Sequence, residues 1–285
     1  MKKKTKIALI IIAVVIFCVS CGLGGYFIGV RVKSKEYNLT SLTLNDLPAL
    51  GDATEDEYVE LSEVRMHYVK YGSGAQPIIL IHGNGGSCRS LRELAGYLSN
   101  DYTVYCLESR CHGLSSDPGV ITYDLMAKDV SEFIDKKLTM KPFIVGHSDG
   151  AIVAISFAAA YPEKSAGIVA CGANSRPETF KFYFTLGVKI RNLFKKDKLN
   201  DLMLTLPDFT PELLGKVTVP TYVVAGEYDI MPLSDTVYIH KHIKNSKITI
   251  VKGANHSNYI SSNGGKIYKL ASGFFTELPQ CTPLN

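Results

Sequence analysis

Short runs of apolar, β-branched residues alternate with amphipathic segments through most of the chain beyond residue 56. The runs have the length and composition of buried strands: "PIILIHG", "YTVYCLES", "KPFIVGHS", "AGIVACGAN", "PTYVVAGEYD" and "KITIVKGANH". Segments between them, such as "CRSLRELAGYLS" and "YDLMAKDVSEFIDKKL", space their apolar residues as helices do. Ahead of these runs, "EYVEL" and "RMHYVKYG" are typical of an antiparallel pair. The alternation predicts an α/β fold with a doubly wound, mostly parallel sheet that helices cover on both faces.

One polar pentapeptide, "GHSDG" at Gly146–Gly150, lies between a predicted strand and a predicted helix. It matches the pattern G-x-S-x-G, in which a serine sits on a strained turn between strand and helix. Ligand chemistry in such sheets takes place at the carboxyl ends of the strands. We therefore predict that Ser148 is a nucleophile, and the alternative is a turn that happens to contain a serine.

A serine hydroxyl is a weak nucleophile, so it needs a base, and the base needs a group that orients it. With this motif, the acid and then the histidine follow the serine along the chain. His256 comes directly after the last predicted strand in "VKGANHS", and Asp229 follows the preceding strand in "GEYD". We prefer Asp229 to Glu227 because it lies further out on the loop. The alternative for Asp229 is a turn or helix-capping residue.

An acyl-transfer site also needs N–H donors that stabilise the oxyanion. The backbone of Asp149, the residue after the nucleophile, is one predicted donor. The glycine-rich stretch "HGNGG" at residues 82–86 supplies the other, and Asn84 is the expected residue. This stretch does not match a nucleotide-binding fingerprint, because the third glycine position falls on Cys88.

The histidines and cysteines do not predict a metal site. His240 and His242 have H-x-H spacing, but no third ligand accompanies them, and they suit the surface of a helix. The cysteines form neither a C-x-x-C pair nor a zinc-binding pattern. Those outside the N-terminal segment are scattered, as small buried side chains are, and an oxidised pair remains an alternative: Cys88, Cys106, Cys111, Cys171 and Cys281. We expect neither a metal nor an organic cofactor.

Five motifs in sequence order resemble those of the α/β-hydrolase fold family: "HGNGG", "ESRCHGLS", "GHSDG", "GEYD" and "ANH". The resemblance extends from about Tyr58 to Leu278. It departs from the family pattern at Glu108 and Cys111, where the family has aspartate and glycine. The resemblance implies that His82, His112 and His147 are structural or near-site residues rather than the base.

The resemblance also implies a serine hydrolase that forms an acyl-enzyme with Ser148, His256 and Asp229. The leading interpretation is a carboxylesterase acting on a small or medium acyl substrate. The alternatives are an aminoacyl ester hydrolase or peptidase, a C–C hydrolase, and a non-catalytic membrane-tethered binding protein. In some family members that cleave aminoacyl esters, an acid after the serine pairs with the substrate ammonium, and Asp149 resembles that acid. Otherwise Asp149 is a helix N-terminal residue that interacts with the macrodipole.

A lid is expected between the sixth strand and the strand that carries the acid, at about residues 175–216. The stretch "FKFYFTLGVKIRNLFKKDKLNDLML" predicts one or two amphipathic helices that roof the site. Ordinary packing on the sheet edge is one alternative. A helix at a membrane interface is another, and it would explain the basic residues.

The N-terminus has the strongest compositional change in the chain. After "MKKKTK", residues 7–30 carry no charge, and as a helix they would span roughly 36 Å, against about 30 Å for a bilayer core. We predict an uncleaved single-pass anchor within residues 1–35, a tether at 36–56 and the hydrolase domain at 57–285. A cleaved signal and lipidation at Cys21 are the alternatives. The flanking lysines favour a cell-membrane protein with its domain outside.

The formal net charge of the chain is +4, and many lysines lie at the N-terminus and between residues 181 and 198. This distribution does not describe a nucleic-acid-binding face. The expected partners are a small acyl substrate and the membrane, and the oligomeric state is left open.

Overall fold

The computed structural model describes residues 39–42, 44, 46–261 and 264–284. Within these residues the strands are β1 (Ala53–Glu60), β2 (Arg65–Tyr71), β3 (Pro77–Ile81), β4 (Thr103–Leu107), β5 (Phe143–His147), β6 (Gly167–Cys171), β7 (Thr221–Tyr228) and β8 (Ser246–Asn255). The helices are α1 (Arg92–Leu98), α2 (Tyr123–Lys137), α3 (Asp149–Ala160), α4 (Phe182–Phe194), α5 (Lys198–Thr205), α6 (Pro211–Leu214), α7 (Leu233–His242) and α8 (Gly264–Thr276).

The strands form one sheet in the order β1-β2-β4-β3-β5-β6-β7-β8. Strand β2 pairs antiparallel with β1 and β4, and every pair from β4 to β8 is parallel. The predicted α/β architecture with a mostly parallel sheet is therefore confirmed. Its carboxyl edge brings together the ends of β5, β7 and β8, which are distant in the sequence.

The core lies on both faces of the sheet. Along β3, Ile79 and Ile81 pack into one apolar cluster, and Ile78 and Leu80 pack into the other. This follows from the two-residue period of a strand, which sends successive side chains to opposite faces. Strands β3, β5 and β6 are buried along their whole length, which explains why their sequences are continuously apolar rather than alternating.

The structure describes part of the predicted tether at residues 36–56, and some of its backbone pairs with strands. Thr40 pairs with Val251 at the outer edge of β8, donating its N–H to Ile250 O at 2.9 Å and accepting from Lys252 N at 2.9 Å. Strand β1 already begins at Ala53, within the predicted tether. These polar residues have no helical or strand-like period, but their backbone covers a sheet edge that would otherwise be open.

Residues between β6 and β7 form three helices, α4, α5 and the short α6, where the sequence predicted one or two. Helix α5 begins at a side-chain cap, because Asp197 accepts a hydrogen bond from Leu199 N at 2.9 Å. Helix α4 packs against α5, and in it only Val188 is buried. We call the segment between β6 and β7 the lid region, after the predicted lid.

The predicted membrane anchor and Cys21 lie outside the described residues. Among the residues that are described, no helix combines the length and apolar character needed to cross a bilayer. The described cysteines are free thiols: Cys88, Cys106 and Cys171 are buried, Cys111 is half-buried and Cys281 is exposed.

Candidate active site

Ser148 occupies the sharp turn between β5 and α3. Its backbone has φ 56° and ψ −119°, a strained conformation for a residue with a side chain. Two glycines make the turn feasible, since a Cβ on Gly150 would overlap Ile81 O and a Cβ on Gly146 would overlap Gly150 O. The serine N–H still donates to Cys171 O at 2.8 Å, so the turn remains fixed to β6. The turn therefore holds the serine firmly at the end of β5.

A continuous hydrogen-bonded chain links the three side chains that the sequence predicted as catalytic. Ser148 Oγ lies 2.9 Å from His256 Nε2, and His256 Nδ1 lies 2.6 Å from Asp229 Oδ1. Asp229 comes one residue after β7, and His256 comes one residue after β8. The parallel sheet thus brings together residues that are up to 108 positions apart. In this arrangement Nδ1–H donates to Asp229, and Nε2 is free to accept the serine proton.

The electrostatics of the pair favour a charged Asp229 and a basic His256. Burial alone would raise the pKa of Asp229, but His256 and the N–H groups of Gly226 and Ile230 outweigh burial, and the pKa is lowered. Burial alone would lower the pKa of His256, but the charge and hydrogen bond of Asp229 raise it above its usual value. The imidazole is therefore a stronger base than a buried histidine without a partner.

The two predicted oxyanion donors, Asn84 and Asp149, lie side by side. The Asn84 side chain donates to Asp149 Oδ2 at 2.9 Å and to Leu199 O in α5 at 3.0 Å. The preceding Gly83 lies against the nucleophile, since a Cβ added there would be 2.9 Å from Ser148 Cβ. The loop after β3 thus contacts both the turn at Ser148 and the lid region.

The carboxylate of Asp149 faces protein groups. Asp149 is only 3% exposed, and the Asn84 side chain and the Tyr123 hydroxyl both donate hydrogen bonds to its carboxylate. Burial raises the pKa of Asp149, although both hydrogen bonds oppose that shift. The sequence predicted a backbone role for Asn84, and it offered a substrate ammonium or the helix macrodipole as the partner of the Asp149 carboxylate. It did not identify Tyr123. The partners are far apart in the chain, so no local signal could have revealed their contact.

Lys181, just before α4, was also missed by sequence reasoning. Its N–H donates to Ile230 O at 3.0 Å, and its ammonium donates to the backbone carbonyl of Asp229. Burial lowers the pKa of Lys181 to about 8, although the Asp229 charge opposes this shift. The lid region is thus joined to the loop that carries the acid.

The other histidines near the turn have structural contacts. His147 Nε2 lies 2.8 Å from His256 O, and its Nδ1 lies 3.1 Å from Ser261 Oγ. Burial lowers the pKa of His147 to about 3 and that of His82 to about 4, so both rings are neutral. His82 accepts a hydrogen bond from Ser109 N at 3.2 Å. Among the histidines that the structure describes, His256 is the one hydrogen-bonded to the serine hydroxyl.

One group of described side chains has the composition of a metal site, although the sequence predicted none. Ligand atoms of His67, Cys88 and Glu108 lie within 4.8 Å of one another. The protein itself already uses these groups: the Cys88 thiol donates to Cys106 O at 2.9 Å, and Glu108 accepts from Cys88 N at 3.1 Å. His67 also binds Asp56 Oδ1 at 2.6 Å. We therefore interpret the group as part of a structural hydrogen-bond network at the ends of β3 and β4.

Comparisons with known proteins agree with this fold. The pattern of the alpha/beta hydrolase fold matches residues 76–201. The chain is 28% identical over 159 residues to "Epoxide hydrolase 1" of Caenorhabditis elegans, covering 54% of this chain but only 39% of that protein. It is 25% identical over 260 residues to "Serine hydrolase BPHL" of Homo sapiens, covering 79% and 88% of the two chains. A solved "thermophilic esterase" superposes with a TM-score of 0.64 at 23% identity, covering 78% and 98%.

The chain therefore has the α/β-hydrolase fold. Its relatives by sequence include hydrolases of more than one kind, among them the two named above and a hydrolase of 2-hydroxy-6-oxononadienedioate from Paraburkholderia phymatum.

Proposed function

We propose that this protein is a serine hydrolase that cleaves a carboxylic ester or a similar acyl bond through an acyl-enzyme. The observation that carries the proposal is the hydrogen-bonded chain from Ser148 through His256 to Asp229. A serine on a strained turn, a basic imidazole and a buried ionised carboxylate are the three parts that this chemistry needs.

The proposed reaction has two halves. Ser148 Oγ attacks the carbonyl carbon while His256 Nε2 takes the hydroxyl proton, and Asp229 stabilises the imidazolium. The backbone N–H groups of Asn84 and Asp149 hold the oxyanion. The C–O bond to the alcohol then breaks, and the alcohol leaves with the proton from His256. In the second half, water attacks the acyl carbon, His256 takes its proton and returns it to Ser148, and the acid is released.

Covalent labelling with a fluorophosphonate tests the proposal. We expect stoichiometric labelling of the full chain at Ser148, and loss of both labelling and esterase turnover in Ser148→Ala. The turnover should fall by several powers of ten, because removal of one member of such a triad abolishes the action of the others. Ser234→Ala is the matched control, since Ser234 is exposed on α7 and should not affect either measurement.

The same experiment distinguishes an enzyme from a non-catalytic binding protein. A folded protein that does not react with the fluorophosphonate would be a binding protein on this fold and would contradict the proposal. Among enzymes, a screen of acyl esters, lactones and aminoacyl amides distinguishes a carboxylesterase from an aminoacyl hydrolase. A C–C substrate belongs in the screen because a relative that is 26% identical is named for such a hydrolysis.

We also propose that residues 7–30 anchor the protein in the cell membrane, with the catalytic domain on the outer side. The support is the length of the uncharged segment, which exceeds what a bilayer core requires. Recovery of the full chain in the membrane fraction after a carbonate wash is the expected result, and quantitative release by the wash would contradict it.

A further inference from the structure

Helix α4 in the lid region exposes an unusual number of large apolar side chains. Phe194, Leu193 and Phe182 are 88%, 84% and 79% exposed. Eleven large apolar residues are exposed in the described part of the chain, and six of them lie on this one helix: Phe182, Tyr183, Leu186, Ile190, Leu193 and Phe194. Scattered apolar residues are normal on a protein surface, but a concentration on one element indicates an interaction surface.

The six side chains share one face of the helix. Successive residues turn by about 100° around the axis, which places all six within an arc of roughly 120°. Val188 lies opposite the centre of this arc and is the buried residue of α4. Lys189 and Arg191 lie outside the two edges of the arc, by about 20° and about 60°, and are exposed. The helix is therefore amphipathic, but its apolar face is exposed to solvent instead of packing against the core.

The charge around this face has a single sign. Between residues 179 and 196 there is no aspartate or glutamate, while four exposed basic residues lie on α4 or directly after it: Lys189, Arg191, Lys195 and Lys196. An apolar face bordered by long cationic side chains suits the boundary between the headgroups and acyl chains of anionic lipid. A second copy of the same surface would instead bring like charges together.

The helix also has a fixed place in the fold. Lys181 joins its start to the loop after β7, and Asn84 holds α5 through Leu199 O. Thr40, near the start of the described residues, pairs with Val251 of strand β8, which lies beside β7. From Val30 to Leu39 the chain can reach at most about 30 Å, so a domain tethered by residues 7–30 would stay near the bilayer.

We propose that the exposed face of α4 binds the surface of an anionic lipid bilayer and inserts its apolar side chains into the interface. The inference does not require that Ser148 be catalytic. An interfacial helix of this kind buries its apolar face to a depth of about 5–10 Å. Its basic border residues then remain among the anionic headgroups, where each contributes to binding.

The absence of tryptophan from the chain allows a direct test. Leu193→Trp gives the full-length protein a single indole on the proposed surface, and Tyr58→Trp, on β1, gives a matched control at another exposed position. Both variants are reconstituted into vesicles of phosphatidylglycerol and phosphatidylcholine that contain lipid brominated near the headgroup end of its acyl chains. We expect blue-shifted emission and strong quenching for Leu193→Trp only, whether or not Ser148 is replaced by alanine.

A second pair of variants tests the role of charge. In the Leu193→Trp background, we combine Lys195→Gln with Lys196→Gln. In vesicles that contain phosphatidylglycerol, the ratio of membrane-inserted to uninserted α4, measured by quenching, should fall by about fivefold per removed charge. Lys216→Gln with Lys244→Gln removes the same charge from exposed positions elsewhere and should leave the ratio unchanged.

Three results would overturn the proposal. The first is quenching of Leu193→Trp no greater than that of Tyr58→Trp. The second is equal quenching in vesicles with and without phosphatidylglycerol. The third is a blue shift that appears without lipid and grows with protein concentration, because it would assign the surface to a second copy of the chain.

Discussion

His256 is held between a carboxylate and a hydroxyl, and its protonation should control the reaction. The base acts only when it is neutral, and its pKa lies above the ordinary histidine value of 6.5 because Asp229 outweighs burial. As pH falls through that raised pKa, the imidazole is protonated and kcat/KM should be lost. The acid limb of the wild-type profile is therefore expected above pH 6.5.

Asp229→Asn should both slow the enzyme and move this limb. Without the charge, burial still lowers the pKa of His256, so the acid limb shifts to lower pH. The rate should fall by about four powers of ten, because the amide no longer fixes the productive tautomer. The pH dependence of kcat/KM for a neutral ester measures both effects. Asp208→Asn, which removes an exposed carboxylate, is the control, and an unmoved acid limb in Asp229→Asn would contradict the assignment.

Asp149 is better explained by its protein contacts than by recognition of a substrate ammonium. Its buried carboxylate accepts from Asn84 and Tyr123, and both donors hold the loop beside Ser148. Asp149→Asn keeps the backbone donor but weakens these charge-assisted hydrogen bonds, each worth about 1.5–3 kcal/mol. We expect kcat/KM to fall by about 10- to 100-fold, and by the same factor for a neutral ester and its α-amino analogue.

The comparison of the two substrates decides between these roles. A loss confined to the α-amino ester would show that Asp149 pairs with a substrate ammonium after all. Asp124→Asn provides the control, since Asp124 is an exposed acid in the first turn of α2.

At the scale of elements, the turn between β5 and α3 depends on close contacts between backbone atoms, which leave no room for a side chain at Gly150. Gly150→Ala should destabilise the fold by at least about 1–3 kcal/mol, because the new methyl group would meet Ile81 O, which the sheet fixes in place. Gly273→Ala is the matched control in α8, where a Cβ meets nothing within 4 Å and should add about 0.5–1 kcal/mol of stability. Denaturant midpoints of the full chain compare the two. Equal midpoints would mean that the strand and helix are not in close contact.

At the scale of the whole molecule, labelling of Cys281 can test the proposed location of the domain on the outer side of the membrane. Among the described cysteines it is the exposed thiol, whereas burial raises the pKa of Cys111 to about 11 and the remaining three are buried. A membrane-impermeant maleimide should label wild type on intact cells, and Cys281→Ser should lose that labelling. If the difference between the two proteins appears only after lysis, the domain faces the cytoplasm and the predicted orientation is wrong.

The sequence by itself determined the architecture and the order of the motifs. Alternating strand-like and helical periods extend over short windows, so each element is specified by its own residues. Gly146 and Gly150 likewise predict a sharp turn at Ser148, because a larger residue would not fit at either position. Because parallel strands end at one edge, the positions of Asp229 and His256 directly after β7 and β8 were also enough to predict that they lie near the serine.

Only the tertiary structure decided which side chains meet across the sheet edge and the lid. Asn84 bonds Asp149 and Leu199, which lie 65 and 115 residues away, and Thr40 closes the edge of β8 although its segment has no period. The spacing of apolar residues in α4 would be the same whether its apolar face pointed toward the core or toward solvent. Its orientation depends on what the rest of the chain leaves uncovered, and a helical period carries no information about that.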